Sequence, residues 1–436
     1  MMGRRNEESS SGAPLLLSPR WKNNPSISGA VFNVSTSIVG AGIMSIPATL
    51  KVLGVVPAFL LIIFVAVLVD VSVEFLLRFT YSGFATTYSG LMKESFGKLG
   101  SFFVQVSIMI TNLGCLIVYQ IIIGDVLSGK GPEHLGILQE WFGVHWWNSR
   151  PVALLFILVF VMLPLVLYRR VDSLWLSSAV SVFLAILFVG ICSVMAIMAL
   201  AQGKTKSPRI VPDLDSNTSF FKLFTAVPVI VTAFTFHFNV HPIVMEMGKP
   251  SAMISAVRIS LVLCSAIYFG VGIFGYLLFG DSIMDDVLVN FDQSSGSALY
   301  SVLNDIVRLS YALHLMLVFP LLNFSLRVNL DELLFPGKAL LATDTKRFVS
   351  LTVVLLIFSY IAAIAIPSIW YFFQFVGSTA AVCLAFIFPG SIVLRDIHGI
   401  STRRDKIIAS VMILLAVVTS TIAISTNIYT LVGNNS

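Results

Sequence analysis

The stretch that decides the fold is residues 38–47, Ile-Val-Gly-Ala-Gly-Ile-Met-Ser-Ile-Pro, in the middle of a long apolar run. Two glycines spaced by one residue, Gly40 and Gly42, weaken a helix at a depth where its backbone groups find no water. Such a break is tolerated in a membrane only around a buried polar cavity, so the stretch predicts a discontinuous membrane-spanning helix. The alternative interpretation is close helix packing through small residues.

A second apolar run carries the same anomaly at residues 236–242, Phe-His-Phe-Asn-Val-His-Pro, which follow Pro228 and precede Glu246. Two histidines, an asparagine and a proline in one apolar run are costly in hydrocarbon unless they face a cavity. The sequence therefore predicts a second interrupted helix.

The composition around these runs is that of a membrane protein. Hydrophobic residues make up 57% of the 436 residues and charged residues 11%, against about 25% charged in globular proteins, and the mean hydropathy is +0.93. These values exclude a soluble protein. The net charge of +5 is scattered singly between apolar runs, so no nucleic-acid partner is expected.

Motifs of metal and nucleotide chemistry are missing from the sequence. No CxxC, HExxH or GxxxxGKS/T pattern occurs, and these are the usual signatures of zinc sites, metalloproteases and ATP-driven motors. We therefore expect no metal, no cofactor and no enzymatic activity.

Eleven apolar runs are long enough to cross about 30 Å of hydrocarbon as helices. They span residues 28–50, 53–77, 100–127, 151–168, 173–201, 219–247, 252–279, 298–326, 347–366, 368–394 and 406–432. The sequence therefore predicts an all-α polytopic membrane protein with eleven transmembrane helices.

The positive charges predict the orientation of these helices. With eleven crossings, nineteen of the 27 lysines and arginines fall on the side of the N terminus and seven on the other, with Arg308 inside the eighth helix. Cytosolic loops hold the positive excess, so we expect a cytosolic N terminus.

The spacing of the two interrupted helices predicts an internal repeat. Helices one and six are five crossings apart, and an odd number inverts the second copy in the membrane. We expect a disordered cytosolic tail over 1–26, five-helix repeats over 27–201 and 202–394, and an eleventh helix with a short non-cytosolic C terminus over 395–436. Interrupted helices at corresponding positions are typical of a transporter substrate site.

Three separated stretches also carry a resemblance to a known family. They are residues 32–43, Phe-Asn-Val-Ser-Thr-Ser-Ile-Val-Gly-Ala-Gly-Ile; His241-Pro242; and residues 375–380, Phe-Val-Gly-Ser-Thr-Ala, with 386–390, Phe-Ile-Phe-Pro-Gly. The sequence resembles the amino acid/auxin permease family over helices one to ten, and within it the sodium-coupled neutral amino acid transporters and the plant vacuolar amino acid transporters.

The resemblance implies a leucine-transporter-like fold, five helices plus five, that carries a free amino acid by alternating access. The substrate residues it implies are Gly40, Ala41 and Gly42 for the carboxylate, Thr235, Phe236 and Phe238 for the amino group, and Asn112 and Ser378 for the side-chain pocket.

Ionisable residues inside the apolar runs are candidates for proton coupling, because a histidine titrates near neutral pH. The candidates are His241, with Glu246 following it, His237, His314 and Asp305; the alternative for each histidine is a structural role. Asp305 and Arg308, three residues apart on one helix face, are expected to form a structural ion pair rather than a gating switch. Asp70, Glu74 and Arg78 are expected to form an interfacial ladder along one helix.

The coupling ion is predicted from a departure from the sodium-coupled branch. A helix-one ligand of that branch aligns with Thr36, and its helix-eight hydroxyl aligns with Met316, Leu317 and Val318, whose side chains carry no oxygen. Ser310 would substitute if the alignment shifted by one turn. We therefore expect proton linkage rather than sodium.

Together these observations predict a proton-linked symporter or antiporter of neutral or acidic amino acids, integral to the vacuolar membrane or another endomembrane. The alternatives are a sodium-coupled neutral amino acid symporter at the plasma membrane and an amino-acid sensor that does not transport. The expected partners are the free amino acid, the coupling proton and the lipid bilayer. A channel is disfavoured because nothing resembles a selectivity filter.

Overall fold

The computed structural model describes residues 27–129, 134–169, 175–214, 217–247, 250–291, 298–339, 341–366 and 369–433, and every regular element within them is helical. The tail over 1–26 and the tight turn expected at Pro367 and Ser368 lie outside the described residues.

Eighteen α-helices and three π-helical turns are found in these ranges. The helices are α1 Ile27–Ile38, α2 Gly42–Leu53, α3 Val55–Ser82, α4 Tyr88–Ser128, α5 Ile137–Phe142, α6 Arg150–Ile157, α7 Leu163–Val166, α8 Trp175–Ala201, α9 Asn217–Leu223, α10 Ala226–Phe234, α11 His237–Met247, α12 Pro250–Phe279, α13 Val287–Asn290, α14 Ala298–Leu334, α15 Thr345–Ala365, α16 Ile369–Val376, α17 Phe388–Arg395 and α18 Arg403–Gly433. The π-helical turns are Leu158–Met162, Gly377–Ala381 and Cys383–Ile387.

The helices follow the eleven predicted runs. Among the described residues, nine helices are long and apolar enough to cross a membrane, and α1 with α2 forms a tenth span, bent by 60°. The fourth predicted run corresponds to a shorter apolar helix, Arg150–Val166, so the count of eleven full spans is not reproduced by length alone.

Both predicted helix interruptions are present. The first separates α1 from α2 at Val39, Gly40 and Ala41. The second separates α10 from α11 at Thr235 and Phe236, within a span, Phe220–Val244, that continues without a comparable bend. His241 was expected beside the second break, but it lies inside α11. The helix continues through Pro242 because a proline is tolerated in a membrane where neighbouring helices satisfy the freed backbone groups.

The interrupted helices lie in the centre of the bundle. α12 packs against α1 and α2, α10 packs against α2, and α14 packs between α4 and α8. For description, the near side of the membrane is the side at which α1 begins, and the far side is the side at which α2 ends.

On the near side, the expected ladder along α3 is replaced by ion pairs between helices. Asp70 and Glu74 both bind Arg258 of α12, at 3.1 and 2.9 Å. Arg78 instead binds Asp405 of α18, at 2.7 Å. The ladder prediction was wrong because the carboxylates point across to α12 rather than along their own helix.

On the far side, Asp305 and Arg308 bind other partners than each other. Arg308 pairs with Glu140 of α5 at 2.6 Å and donates to the Leu135 carbonyl, while Asp305 accepts from the Trp141 indole at 3.0 Å. The expected pair within α14 was wrong because α5 folds over this end of α14 and supplies both partners.

The loop between α17 and α18 is held by Asp396, whose backbone is left-handed with φ of 47°. Its carboxylate accepts from the Ile400 and Ser401 amides and from Lys406 at 3.1 Å. Burial acts to raise the pKa of this carboxyl, but the Lys406 ammonium and the two amides outweigh it and lower the pKa below its usual value.

Candidate functional site

The first helix break is lined by tyrosine hydroxyls. Tyr268 of α12 donates to the Ile38 carbonyl at 2.7 Å, and Tyr311 of α14 donates to the Gly40 carbonyl at 2.6 Å. The Tyr119 hydroxyl of α4 lies against Gly40 and the Ala41 backbone. The break thus frees backbone carbonyls, and neighbouring helices supply donors to them.

Tyr268 also joins the two interrupted helices. Its hydroxyl lies 2.8 Å from the carbonyl of Ala233, at the end of α10, as well as 2.7 Å from that of Ile38. A phenol has one proton, so it serves only one of these carbonyls fully at a time. The nearby Gly40 carbonyl accepts from Tyr311 and also from the Ile43 amide at 3.3 Å, so the shortage of donors falls on the Ile38 and Ala233 carbonyls. An ammonium group, with three N–H donors, suits this cluster better.

Gly40 and Gly42 are required by close approach, since neither has a positive φ. A Cβ on Gly42 would lie 2.8 Å from both Cα and Cβ of Ala233. A Cβ on Gly40 would lie 2.3 Å from the Tyr119 hydroxyl. The glycines therefore bring α2 against α10 and the first break against α4.

The same break presents backbone donors. The Gly40 amide donates to no other backbone group among the described residues, whereas the Ala41 amide donates to the Tyr119 hydroxyl, and α2 begins at the next residue. Amides at a helix N terminus favour an anionic group. The break therefore places N–H donors beside the carbonyl cluster, as an α-amino acid would require.

Of the other predicted pocket residues, Asn112 has the most hydrogen-bonding capacity left. It is fully buried in α4, and neither atom of its amide has a partner in the described part of the chain. Seven residues, about two helical turns, separate it from Tyr119, so the two share a face of α4. By contrast, the Thr235 and Ser378 hydroxyls donate at 2.6 Å to carbonyls of their own helices.

His237 and His241 are buried against α3 and contact hydroxyl groups there. The Ser72 hydroxyl lies 2.7 Å from Nε2 of His237, and the Thr80 hydroxyl lies 2.9 Å from Nε2 of His241. Thr80 donates its proton to the Leu76 carbonyl at 2.7 Å, so it accepts from His241, whose Nε2 carries the proton. These contacts fit the structural alternative for both histidines.

His314 lies at the first break instead. Its Nδ1 is 2.7 Å from the Ser181 carbonyl of α8, and the Val39 carbonyl also interacts with the ring. Its ring centroid is 4.8 Å from that of Tyr311, which binds Gly40. A carbonyl only accepts, so Nδ1 carries a proton, while Nε2 has no hydrogen-bond partner in the described residues.

The two acidic coupling candidates are not part of this cluster. Asp305 is bound to Trp141 near the far-side end of α14. The side chain of Glu246 lies outside the described residues. Of the four candidates whose side chains the structure describes, only His314 lies at the first break.

The positions compared with the sodium-coupled branch offer few oxygen atoms. Met316 and Val318 are buried apolar side chains, and the Ser310 hydroxyl donates to the Val307 carbonyl at 3.0 Å. The Thr36 hydroxyl is buried without a partner among the described residues.

Sequence reasoning missed the three tyrosines, Tyr119, Tyr268 and Tyr311. Each is at most 4% exposed. A phenol in the middle of an apolar run needs a buried partner, and that signal was present in the sequence. The partner itself lies up to 271 residues away, which no spacing rule reveals.

Interrupted helices whose freed backbone groups meet in the centre of a helical bundle are typical of membrane transporters. Residues 23–432 match the family described as transmembrane amino acid transporter protein. The chain belongs to this family, which confirms the resemblance to amino acid/auxin permeases; the family consists of transporters rather than enzymes.

Similar proteins span nearly the whole chain. Amino acid transporter AVT6C of Arabidopsis thaliana is 65% identical over 94% of this chain and 95% of its own length. Amino acid transporter AVT6A of the same plant is 51% identical over 95% of this chain and 91% of its own length.

Solved structures show the fold. MhsT in complex with L-phenylalanine superposes with a TM-score of 0.57 at 14% identity, covering 92% of this chain and 99% of MhsT. A manganese transporter of Eremococcus coleocola gives 0.60 at 13% identity, covering 95% and 89%. The leucine-transporter-like fold predicted from the sequence is confirmed.

Proposed function

We propose that this protein is a proton-linked secondary transporter that moves neutral or acidic amino acids across the vacuolar membrane or another endomembrane by alternating access. The observation that carries the proposal is the carbonyl cluster at the two helix breaks, joined by Tyr268. The similar Arabidopsis proteins are named amino acid transporters.

The substrate class follows from the groups at the breaks. The α-ammonium binds the carbonyls of Ile38 and Ala233, which share the single proton of Tyr268, beside the Gly40 carbonyl. The α-carboxylate binds the Gly40 amide and the Tyr119 hydroxyl, which the Ala41 amide holds in place. The Asn112 amide, which has no partner in the described residues, hydrogen-bonds the substrate side chain. The Asn112 amide both donates and accepts hydrogen bonds, so it binds the side chain of a polar neutral or an acidic amino acid.

Alternating access is supported by the different attachments of α1 and α2. On the far side, α2 holds a connecting segment through Lys51, which donates to the Ile283 carbonyl, and Ser45, which donates to the Asp285 carbonyl. On the near side, α1 holds α11 through Asn239 and Ser37. Opening toward either side releases one set of bonds while the other set stays closed.

His314 is the coupling residue that the geometry favours over His241. Two carbonyls, Ser181 and Val39, interact with its ring, and only an imidazolium can donate to two carbonyls at once. Protonation therefore creates a second bond to the broken helix, next to Gly40. A proton at His314 and an amino acid at the break then stabilise the same closed arrangement, which is the coupling that transport requires.

The sidedness of the proposal rests on charge. The near side carries nineteen of the 27 lysines and arginines and is assigned to the cytosol. The sodium-coupled symporter at the plasma membrane and the non-transporting sensor remain the alternatives, and each makes a different prediction in vesicles.

The experiment that tests the proposal is uptake of a labelled amino-acid panel by vesicles that contain the purified protein. We expect accumulation of neutral or acidic amino acids under a pH gradient, and its loss when the gradient is collapsed. Binding without flux would support the sensor, and flux that requires sodium would support the symporter.

The coupling residue is tested with His314→Gln, which keeps a donor and an acceptor but does not titrate. We expect loss of accumulation driven by the pH gradient, while exchange of substrate across the membrane persists. His145→Gln is the matched control, because His145 is an exposed histidine on the far side. Accumulation that persists in His314→Gln would transfer the coupling role to another residue.

A further inference from the structure

Two arginines share one phenylalanine ring at the near side, away from the helix breaks. The Arg327 guanidinium carbon of α14 lies 3.9 Å from the Phe348 ring centroid of α15, and that of Arg169, just after α7, lies 5.3 Å from it. The two positive charges are therefore within about 9 Å of each other.

Arg327 is buried without a counter-ion. It is 1% exposed, and no carboxylate of a described residue lies within ion-pair distance. Its Nη1 donates to the Val166 carbonyl at 3.0 Å and to the Thr352 hydroxyl at 2.7 Å, both neutral groups. Its Nε is buried and has no partner among the described residues. A buried charge of this kind is costly unless an opposite charge joins it.

Arg169 repeats the pattern at the surface. It is exposed and donates to the Ala342 carbonyl at 2.8 Å and to the Thr345 hydroxyl at 2.9 Å, again without a carboxylate in the described ranges. The adjacent carboxylates serve other groups: Asp331 binds Arg347 at 3.0 Å, and Asp344 caps the start of α15.

The location matches the chemistry of a membrane surface. Val166 ends α7 and Thr345 begins α15, so the two arginines lie at the junction of α7, α14 and α15 where the apolar spans meet the near-side headgroups. Basic pockets between transmembrane helices bind anionic lipid headgroups, and arginine binds phosphate through parallel N–H donors.

We propose that a phosphate group binds at the junction of α7, α14 and α15. Arg169 contacts the phosphate from the surface, and Arg327 provides the buried positive charge beneath it. The phosphate belongs to an anionic membrane lipid. This site is independent of the substrate site at the helix breaks, and bound lipid ties α7 to α14 and α15.

The test compares the full-length protein in phosphatidylcholine nanodiscs with and without phosphatidylinositol phosphate, by thermal unfolding. We expect the anionic lipid to raise Tm by several degrees, and less so at high salt because exposed charges are screened. In Arg169→Gln the lipid-induced rise falls by at least half. Arg404→Gln, which removes an exposed near-side charge from the start of α18, keeps the full rise.

Two further measurements distinguish a lipid phosphate from free phosphate and test the role of Arg327. Inorganic phosphate, added to phosphatidylcholine nanodiscs, leaves Tm unchanged if a lipid supplies the group; an equal rise would overturn the lipid assignment. Arg327→Lys keeps the buried charge but loses the guanidinium, so it lowers the rise if it folds. An equal rise in Arg169→Gln and Arg404→Gln, or no rise in the wild type, would overturn the site.

Discussion

The contact between Gly42 and Ala233 gives the sharpest test of the substrate site. In Gly42→Ala the new methyl group would lie 2.8 Å from Cα and Cβ of Ala233, whereas carbon atoms pack at about 3.5–4.0 Å. The helices α2 and α10 must therefore separate by roughly 0.7–1.2 Å. Overpacking of this kind costs about 1–3 kcal/mol.

The separation also disturbs the substrate site, since Tyr268 bridges α1 and α10 through bonds of 2.7 and 2.8 Å. A penalty of about 1–3 kcal/mol in the closed arrangement corresponds to roughly a 5–150-fold loss of affinity. We expect Gly42→Ala to lose at least fivefold in amino-acid binding, measured by equilibrium binding to purified protein, and to insert in the membrane at wild-type levels.

A second substitution, at Ala233, distinguishes the contact of Gly42 with the Ala233 backbone from its contact with the Ala233 side chain. Ala233→Gly removes the Cβ of Ala233 but leaves its Cα at 2.8 Å, so it restores only part of the lost affinity. At Gly40 the contact is the end of the Tyr119 side chain, and Gly40→Ala destabilises less in a Tyr119→Phe background. Wild-type affinity in Gly42→Ala, or full rescue by Ala233→Gly, would refute the proposed approach of the two helices.

Three further outcomes are expected. Tyr268→Phe leaves the Ile38 and Ala233 carbonyls without their donor and lowers the free energy of unfolding by about 1–3 kcal/mol, measured by chemical denaturation in detergent. Asp396→Asn lowers Tm equally at pH 5.5 and 7.5, because a lowered folded-state pKa gives stability that is complete above the unfolded value of about 3.9 and is lost only as pH falls through the folded value. Replacing sodium by choline at fixed pH leaves flux in vesicles unchanged.

The histidines show how differently sequence and structure rank the same residues. From the sequence, His241 ranks above His237 and His314 because it stands beside Pro242 at the second interruption, with Glu246 following. The structure places His241 against Thr80 and His314 at the first break. His314 stands among the apolar residues 312–319 of α14, and only the packing of α8 and α1 around that helix gives it two carbonyls.

The sequence by itself determined the membrane setting, the approximate spans and the two interruptions. Hydrocarbon requires every backbone group of a span to be satisfied locally, so Gly40, Gly42 and the polar run after Phe236 are visible as violations of a local rule. The odd number of crossings between the two breaks predicts that the second five-helix unit is inverted in the membrane.

Only the tertiary structure decided which groups meet. Tyr268 reaches Ile38, 230 residues away, and Arg308 binds Glu140, 168 residues away, rather than Asp305 on its own helix. A single sequence records the cost of burying a polar group but not the identity of the partner that offsets it. That partner depends on helix crossings set by the packing of many apolar side chains, which have no individual direction.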